Sequence, residues 1–318
     1  MTGRIAIKSG RAHLLLRDKN SMGTANENCQ VKQRIEATDP EIRELVKRAL
    51  AEDVGAGDVT TLATIGPRAR AQARIVAREP LVVAGLGLAE AAFCVLPGPV
   101  SCGRTVEDSQ HVEAGTTLLT IRGLARTILT AERVALNYLQ RLSGIATLTS
   151  KFVSAVAGTK AQILDTRKTT PGLRFLEKYA VRCGGGRNHR FGLYDMILIK
   201  DNHLAALREA RPNPIHAAVR RARKKYPQLR VAVEADTMDQ VRQALEAGAD
   251  WILLDNMAPR VLRAAVRLVN KRAVTEASGG VTLDNVRAIA ETGVDCISVG
   301  ALTHSARAVD IALDFDTE

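Results

Sequence analysis

A helix end followed directly by a short apolar run occurs twice in the second half of this 318-residue chain, 45 residues apart. Glu246-Ala-Gly-Ala-Asp250 leads into residues 251–254, and Glu291-Thr-Gly-Val-Asp295 leads into residues 296–299. In each copy glycine ends the helix and the run that follows lacks the alternation of a half-wet strand. Similar runs stand at 163–164, 196–199, 231–233 and 273–275, with helix-length segments between them. Strands apolar on both faces and spaced by helices need a parallel sheet covered by helices. The expected fold is therefore α/β, with an open or irregular (β/α) barrel.

The first half has another rhythm. Asp39 suits an N-cap and Pro40 the first helical position, and Ile42, Leu45, Val46, Ala49 and Leu50 follow at helical spacing. Short β-like runs at 73–77, 81–84 and 117–121 alternate with Gly/Pro turns, as in a smaller α/β sandwich domain. Residues 132–142 read as a helix with an apolar stripe of Val134, Tyr138 and Leu142 beside a polar one of Arg133, Asn137 and Arg141. The stretch 81–87 begins like a dinucleotide fingerprint. Its third glycine position is Glu90, which would repel a pyrophosphate, so it reads as a turn.

Composition excludes more than it assigns. Residues 1–35 carry seven Lys/Arg against two acidic residues, which gives +5 of the chain's +11, and are expected to be a disordered basic extension. Aromatic residues make up 3% of the chain, too few for a stacking-based nucleic-acid binder. A generic RNA-binding module driven by net charge is disfavoured for that reason and because the cations gather at strand ends. Five scattered cysteines without CxxC spacing predict reduced thiols, a cytoplasmic setting and no structural zinc. No apolar run approaches the roughly 18–20 residues of a membrane span.

In a β/α barrel the chemistry sits just after the strands. Those positions here are Asp165 with Arg167 and Lys168; Lys200, Asp201, Asn202 and His203; Glu234; Asp255 and Asn256; Ser278, Gly279 and Gly280; and Gly300. Residues 165–203 alone hold eight Lys/Arg, two His and a triple glycine. Arg167, Lys168, His189, Arg190 and Lys200 form a cation cluster suited to carboxylates and phosphates. Ser278, Gly279, Gly280, Gly300 and Ala301 follow the last two strands, where backbone N–H groups of barrels often meet a phosphate. Glu234 and Asp255 suit a divalent metal or ribose hydroxyls. Neither a GxxxxGK[ST] loop, an HExxH pair nor a nucleophile–base pair is present.

These motifs together resemble the quinolinate phosphoribosyltransferase family, the carboxylating nicotinate-nucleotide pyrophosphorylases of NAD biosynthesis. The resemblance covers about residues 38–315. It rests on Glu52-Asp-Val-Gly-Ala-Gly-Asp58-Val-Thr-Thr61, Glu132-Arg-Val-Ala-Leu-Asn137, Asp165-Thr-Arg-Lys-Thr-Thr-Pro-Gly172, Gly184-Gly-Gly-Arg-Asn-His-Arg190, Ile199-Lys-Asp-Asn-His203, Leu254-Asp-Asn256, Glu276-Ala-Ser-Gly-Gly280 and Ser298-Val-Gly-Ala-Leu-Thr-His304. It implies transfer of phosphoribosyl from phosphoribosyl pyrophosphate to quinolinate with loss of CO₂, assisted by Mg²⁺ at Glu234 and Asp255. It further implies that Arg133, Arg167, His189, Arg190 and Lys200 bind quinolinate. Lys168, Glu234, Asp255, Ser278, Gly279, Gly280, Gly300, Ala301 and His304 would bind the phosphoribosyl donor, and Lys168, Lys200, Glu234 and Asp255 would be catalytic. Arg133 would enter the neighbouring active site of a homodimer or hexamer.

The implied organisation is 36–133 plus 305–318 as the N-terminal domain and 134–304 as the barrel. Ala235 departs from the acidic or polar residue that often follows the Glu234 position in the family. An alternative within the same fold is the molybdenum-operon paralogue, acting on another acceptor.

Overall fold

The structure, a computed structural model, describes residues 34–316. The N-terminal layer comprises α1 (Pro40–Val54), α2 (Val59–Thr64), β1 (Arg70–Ala77), β2 (Leu81–Val82), α3 (Leu86–Val95), β3 (Val100–Arg104), β4 (His111–Val112) and β5 (Thr117–Leu124). The long helix α4 (Ala125–Ala155) follows. The barrel half alternates β6 (Gln162–Leu164), α5 (Arg174–Cys183), β7 (Ile197–Ile199), α6 (Asp201–Ala205), α7 (Pro214–Lys225), β8 (Val231–Ala235) and α8 (Met238–Glu246). It continues through β9 (Trp251–Asp255), α9 (Pro259–Val269), β10 (Val274–Ser278), α10 (Val286–Ala290), β11 (Cys296–Ser298) and α11 (Ala301–His304) to β12 (Ile311–Phe315).

The six barrel strands form one parallel sheet in the order β6-β11-β10-β9-β8-β7. Arg187 bridges in parallel to Leu164 on the outer side of β6, so the sheet curls toward closure without joining β7. This is the open barrel expected from the doubly apolar runs. The N-terminal sheet, β12-β1-β5-β3, has antiparallel pairing throughout, and the C-terminal strand β12 pairs with β1 from Ala73↔Phe315 to Ala77↔Ile311. The chain thus ends by completing the sheet it began. Among the described residues no helix is long and apolar enough to cross a membrane.

Two expectations change. Ile35 is fully buried, and an added Cβ at Gly87 would lie 2.2 Å from the Ile35 carbonyl oxygen. The core therefore begins inside the expected 1–35 extension, because Ile35 seats against α3; residues 1–33 lie outside the described residues. The helix expected over 132–142 is the middle of α4, so the boundary expected at 133/134 falls within one continuous helix. Residues 142–146 of α4 are all buried, which erases the 3.6-residue period on which the shorter reading relied. Small residues make that burial possible. A Cβ on Gly144 would sit 2.0 Å from the Arg307 carbonyl oxygen, where the C-terminal segment crosses the helix.

Candidate active site

The carboxylates come from neighbouring strands. Glu234 is the fourth residue of β8, and Asp255 closes β9 in register with Ser278 at the end of β10. Lys200, immediately after β7, ion-pairs with Glu234; the lysine is 44% exposed and the carboxylate 14%. Asn256, in the left-handed region at φ 53°, donates its side-chain amide to Asp255 Oδ2 at 2.7 Å and its backbone N–H to the Ser278 carbonyl at 2.9 Å. A Cβ at Gly279 would lie 2.1 Å from Asn256 Oδ1. Glycine at 279 is thus what lets Asn256 orient Asp255. Gly280, at φ 57°, has no atom within 4 Å of where a Cβ would stand and faces open space.

The ends of β6 and β11 meet at the other side. Thr303 donates its hydroxyl to the Lys168 carbonyl at 2.7 Å, and a Cβ on Gly300 would come within 3.2 Å of Lys168 Cδ and 3.1 Å of His304 Nε2. Lys168, Gly300, Ala301 and His304 therefore share one rim, and a bare backbone at 300 keeps room for the lysine stem.

A pair of guanidinium groups, Arg167 and Arg190, stands near the segment that leads into β7. Arg190 donates to the Met196 carbonyl at 3.2 Å. Burial, and then the neighbouring charge of Arg167, push its guanidinium below the usual arginine range. Arg167 Nε is buried without a hydrogen-bond partner. The nearby Asp195 carboxylate is occupied by the backbone N–H groups of Phe191 at 2.6 Å and Gly192 at 3.0 Å. Two like charges and an unmatched buried donor make this a place for an anionic ligand.

A buried scaffold sets the spacing. Asp165 and Lys178 are both 0% exposed and pair at 2.5 Å; Asn188 at 2.6 Å and the His189 backbone N–H at 2.8 Å also donate to Asp165. Burial pushes the Asp165 carboxyl up and the Lys178 ammonium down. Glu177, equally buried, accepts from Arg141 at 2.9 Å and from the Thr170 hydroxyl at 2.8 Å, which anchors the segment carrying Arg167 and Lys168. Lys178, Glu177, Arg141 and Asn188 had no assigned role in the sequence reading, because a charge on a helix ordinarily reads as solvated and Asn188 is an uncharged loop residue.

The two remaining expected acceptor ligands, His189 and Arg133, have different surroundings. His189 is 8% exposed, takes the Arg190 N–H on Nδ1 at 2.7 Å and faces Glu276 through Nε2 at 3.2 Å. Glu276 also accepts from Trp251 Nε1 at 2.5 Å. Both ring nitrogens are engaged, and His189 shares a small hollow with Arg190, Asn188, Asp195 and Trp251. Arg133 is exposed on α4. Leu129 and Thr130, one turn before it, line a hollow of about 340 Å³ with Asp53, Val54, Gly57, Asp58 and Val59 of the N-terminal domain.

Among the described residues no cluster of three or more His, Cys, Asp or Glu could hold a metal ion alone. Glu234 and Asp255 fit Mg²⁺ in a different way. This ion is commonly bound by one or two carboxylates together with substrate phosphates and water.

Comparison with known proteins agrees with this layout. The quinolinate phosphoribosyl transferase N-terminal domain matches residues 58–143 and the C-terminal domain residues 145–314. A nicotinate-nucleotide pyrophosphorylase [carboxylating] of Mycobacterium leprae is 46% identical over 279 residues, covering 86% of this chain and 96% of the relative. A probable enzyme of the same description from Bacillus subtilis is 42% identical over 275 residues, covering 86% and 93%. The solved nicotinate-nucleotide pyrophosphorylase of Francisella tularensis superposes with a TM-score of 0.82 at 38% identity, covering 89% of this chain and 99% of that one. With both domains matched and the strand-end residues in place, the chain belongs to the quinolinate phosphoribosyltransferase family.

Proposed function

We propose that this protein transfers phosphoribosyl from phosphoribosyl pyrophosphate to quinolinate, releasing pyrophosphate and CO₂ and forming nicotinate mononucleotide for NAD biosynthesis. The observation that carries the reading is the Arg167–Arg190 pair, with Arg167 Nε buried and unmatched. A dicarboxylate satisfies that arrangement, and a monocarboxylate leaves part of it unpaired.

Breaking the C1–pyrophosphate bond builds positive charge on ribose and negative charge on the leaving group. Lys168 and Lys200 bind the departing pyrophosphate more tightly as its charge grows, which lowers the barrier. Lys200 is held by Glu234 and stays oriented before substrate arrives. Glu234 and Asp255 serve the ribose hydroxyls and would hold Mg²⁺ together with the substrate's phosphates, where the ion would supply further positive charge. Ser278, Gly279, Gly280, Gly300, Ala301 and His304 receive the 5′-phosphate. Arg167 and Arg190 align the acceptor so that its ring nitrogen meets C1. Once that nitrogen is a pyridinium, it stabilises the carbanion left when the adjacent carboxylate departs as CO₂.

The exposed Arg133 completes the acceptor site of a neighbouring copy in a homodimer or larger assembly, and the reaction takes place in the cytoplasm. The test is to supply phosphoribosyl pyrophosphate with either quinolinate or nicotinate. Quinolinate should turn over with CO₂ release; efficient turnover of nicotinate without CO₂ would refute the proposal.

A further inference from the structure

On α3 the surface before the last residue is buried except at Glu90 and Cys94, one turn apart. Opposite them β3 alternates, so that Val100, Cys102 and Arg104 share its less exposed side. Arg104 grips Glu90 with two hydrogen bonds, 2.8 and 2.5 Å. Four residues along a helix rise about 6 Å, and two residues along a strand about 6.8 Å. Moving one step from the Arg104–Glu90 rung therefore brings Cys102 against Cys94. The register thus turns the two side chains toward each other, and each thiol shifts the other's titration.

We propose that Cys94 and Cys102 form a dithiol site that a low-molecular-weight disulfide, such as oxidised glutathione, converts to an intramolecular disulfide. Cys94 is exposed and opens the exchange. Its thiolate attacks one sulfur of the oxidant, making a mixed disulfide and expelling one thiolate. The Cys102 sulfur, on losing its proton, attacks Cys94 and expels the second. The two protein thiols lose two electrons and two protons, and the oxidant leaves as two thiols. The bond, about 2.05 Å long, would join facing side chains across seven intervening residues that include Pro97, Gly98 and Pro99.

The surroundings favour Cys94 as the attacking group. The hydrogen bond from Cys102 draws its thiol down to about 7; burial and Glu90 on the same helix oppose this, and Arg43 on α1 assists. Cys102 is held up by Cys94 and by burial until Cys94 has reacted. Cys183 and Cys296 are buried in the barrel half and should stay reduced.

The native protein is treated with oxidised glutathione, alkylated and digested with trypsin. No Lys or Arg lies between Glu79 and Arg104, so one peptide, residues 79–104, contains both cysteines. The expected peptide takes up no alkyl group, is lighter by two hydrogens and regains both alkylation sites on reduction. A peptide that keeps both alkylation sites, or stops with glutathione on Cys94, would overturn the proposal. Cys102→Ser provides the second arm. It should accumulate the mixed disulfide and shift the pH midpoint of Cys94 alkylation upward by about one unit or more, toward the ordinary thiol near 8.5. An unchanged midpoint would show that the two sulfurs do not interact.

Discussion

Arg167 and Arg190 set like charges near one another, with Asp195 offsetting the Arg190 charge only in part, an arrangement that costs stability and serves binding. Arg167→Gln should therefore unfold no more easily than the parent while losing about 2–5 kcal/mol of transition-state binding, roughly 30-fold or more in kcat/KM. Parallel thermal scans and steady-state kinetics check both halves. Lys178 is the reverse case, a structural charge close to the site. Lys178→Met leaves the Asp165 carboxyl buried with its main partner gone and should cost about 3–5 kcal/mol in denaturant unfolding; a loss below about 1 kcal/mol would contradict the pairing. The sequence made the first class of residue legible and hid the second. Lys200, Glu234 and Asp255 stand where apolar runs stop, which marks them. Lys178 is one more charge in an amphipathic helix, and nothing in a linear pattern says that it faces Asp165. His189 was legible as a site residue but its orientation was not, because Glu276 and Trp251 lie far along the chain.

At the scale of elements, the barrel strands were readable because burial on both faces leaves unbroken apolar runs, and the six observed strands overlap the six expected ones. The strand β3 was missed, since Val100–Arg104 mixes small and polar residues on an edge. The length of α4 was missed for the opposite reason: it is buried nearly all round where Gly144 admits the C-terminal segment. Gly144→Ala should cost about 1–3 kcal/mol of stability, because a new methyl group meets backbone at 2.0 Å, which cannot rotate away. The crossing has a second tie. Arg307 pairs with Glu79, and with the Asp310 N–H it holds that carboxyl at about 2, against 4.5 for a free one. A lowered carboxyl contributes its full stabilisation above about pH 4.5, and that contribution is lost as pH falls through about 2. Thermal unfolding followed from pH 6 to pH 2 should show a shallower acid decline in Arg307→Ala than in the parent.

The whole molecule joins two layers through one helix and a returning C-terminal strand, so Arg133 and the strand ends belong to a single body that presents them in different places. Arg133→Ala and Lys168→Ala should each be inactive alone. Mixing them should restore part of the activity if Arg133 serves a neighbouring copy, because some hybrid sites then carry both residues; no recovery on mixing would count against the shared site. The central claim is that one enzyme couples phosphoribosyl transfer to decarboxylation. Quinolinate labelled in the carboxyl group next to the ring nitrogen, incubated with phosphoribosyl pyrophosphate and Mg²⁺, tests it most directly. The account predicts labelled CO₂ and pyrophosphate in equal amounts, with no CO₂ when phosphoribosyl pyrophosphate is left out. Pyrophosphate formed without labelled CO₂, or CO₂ formed without the donor, would contradict it.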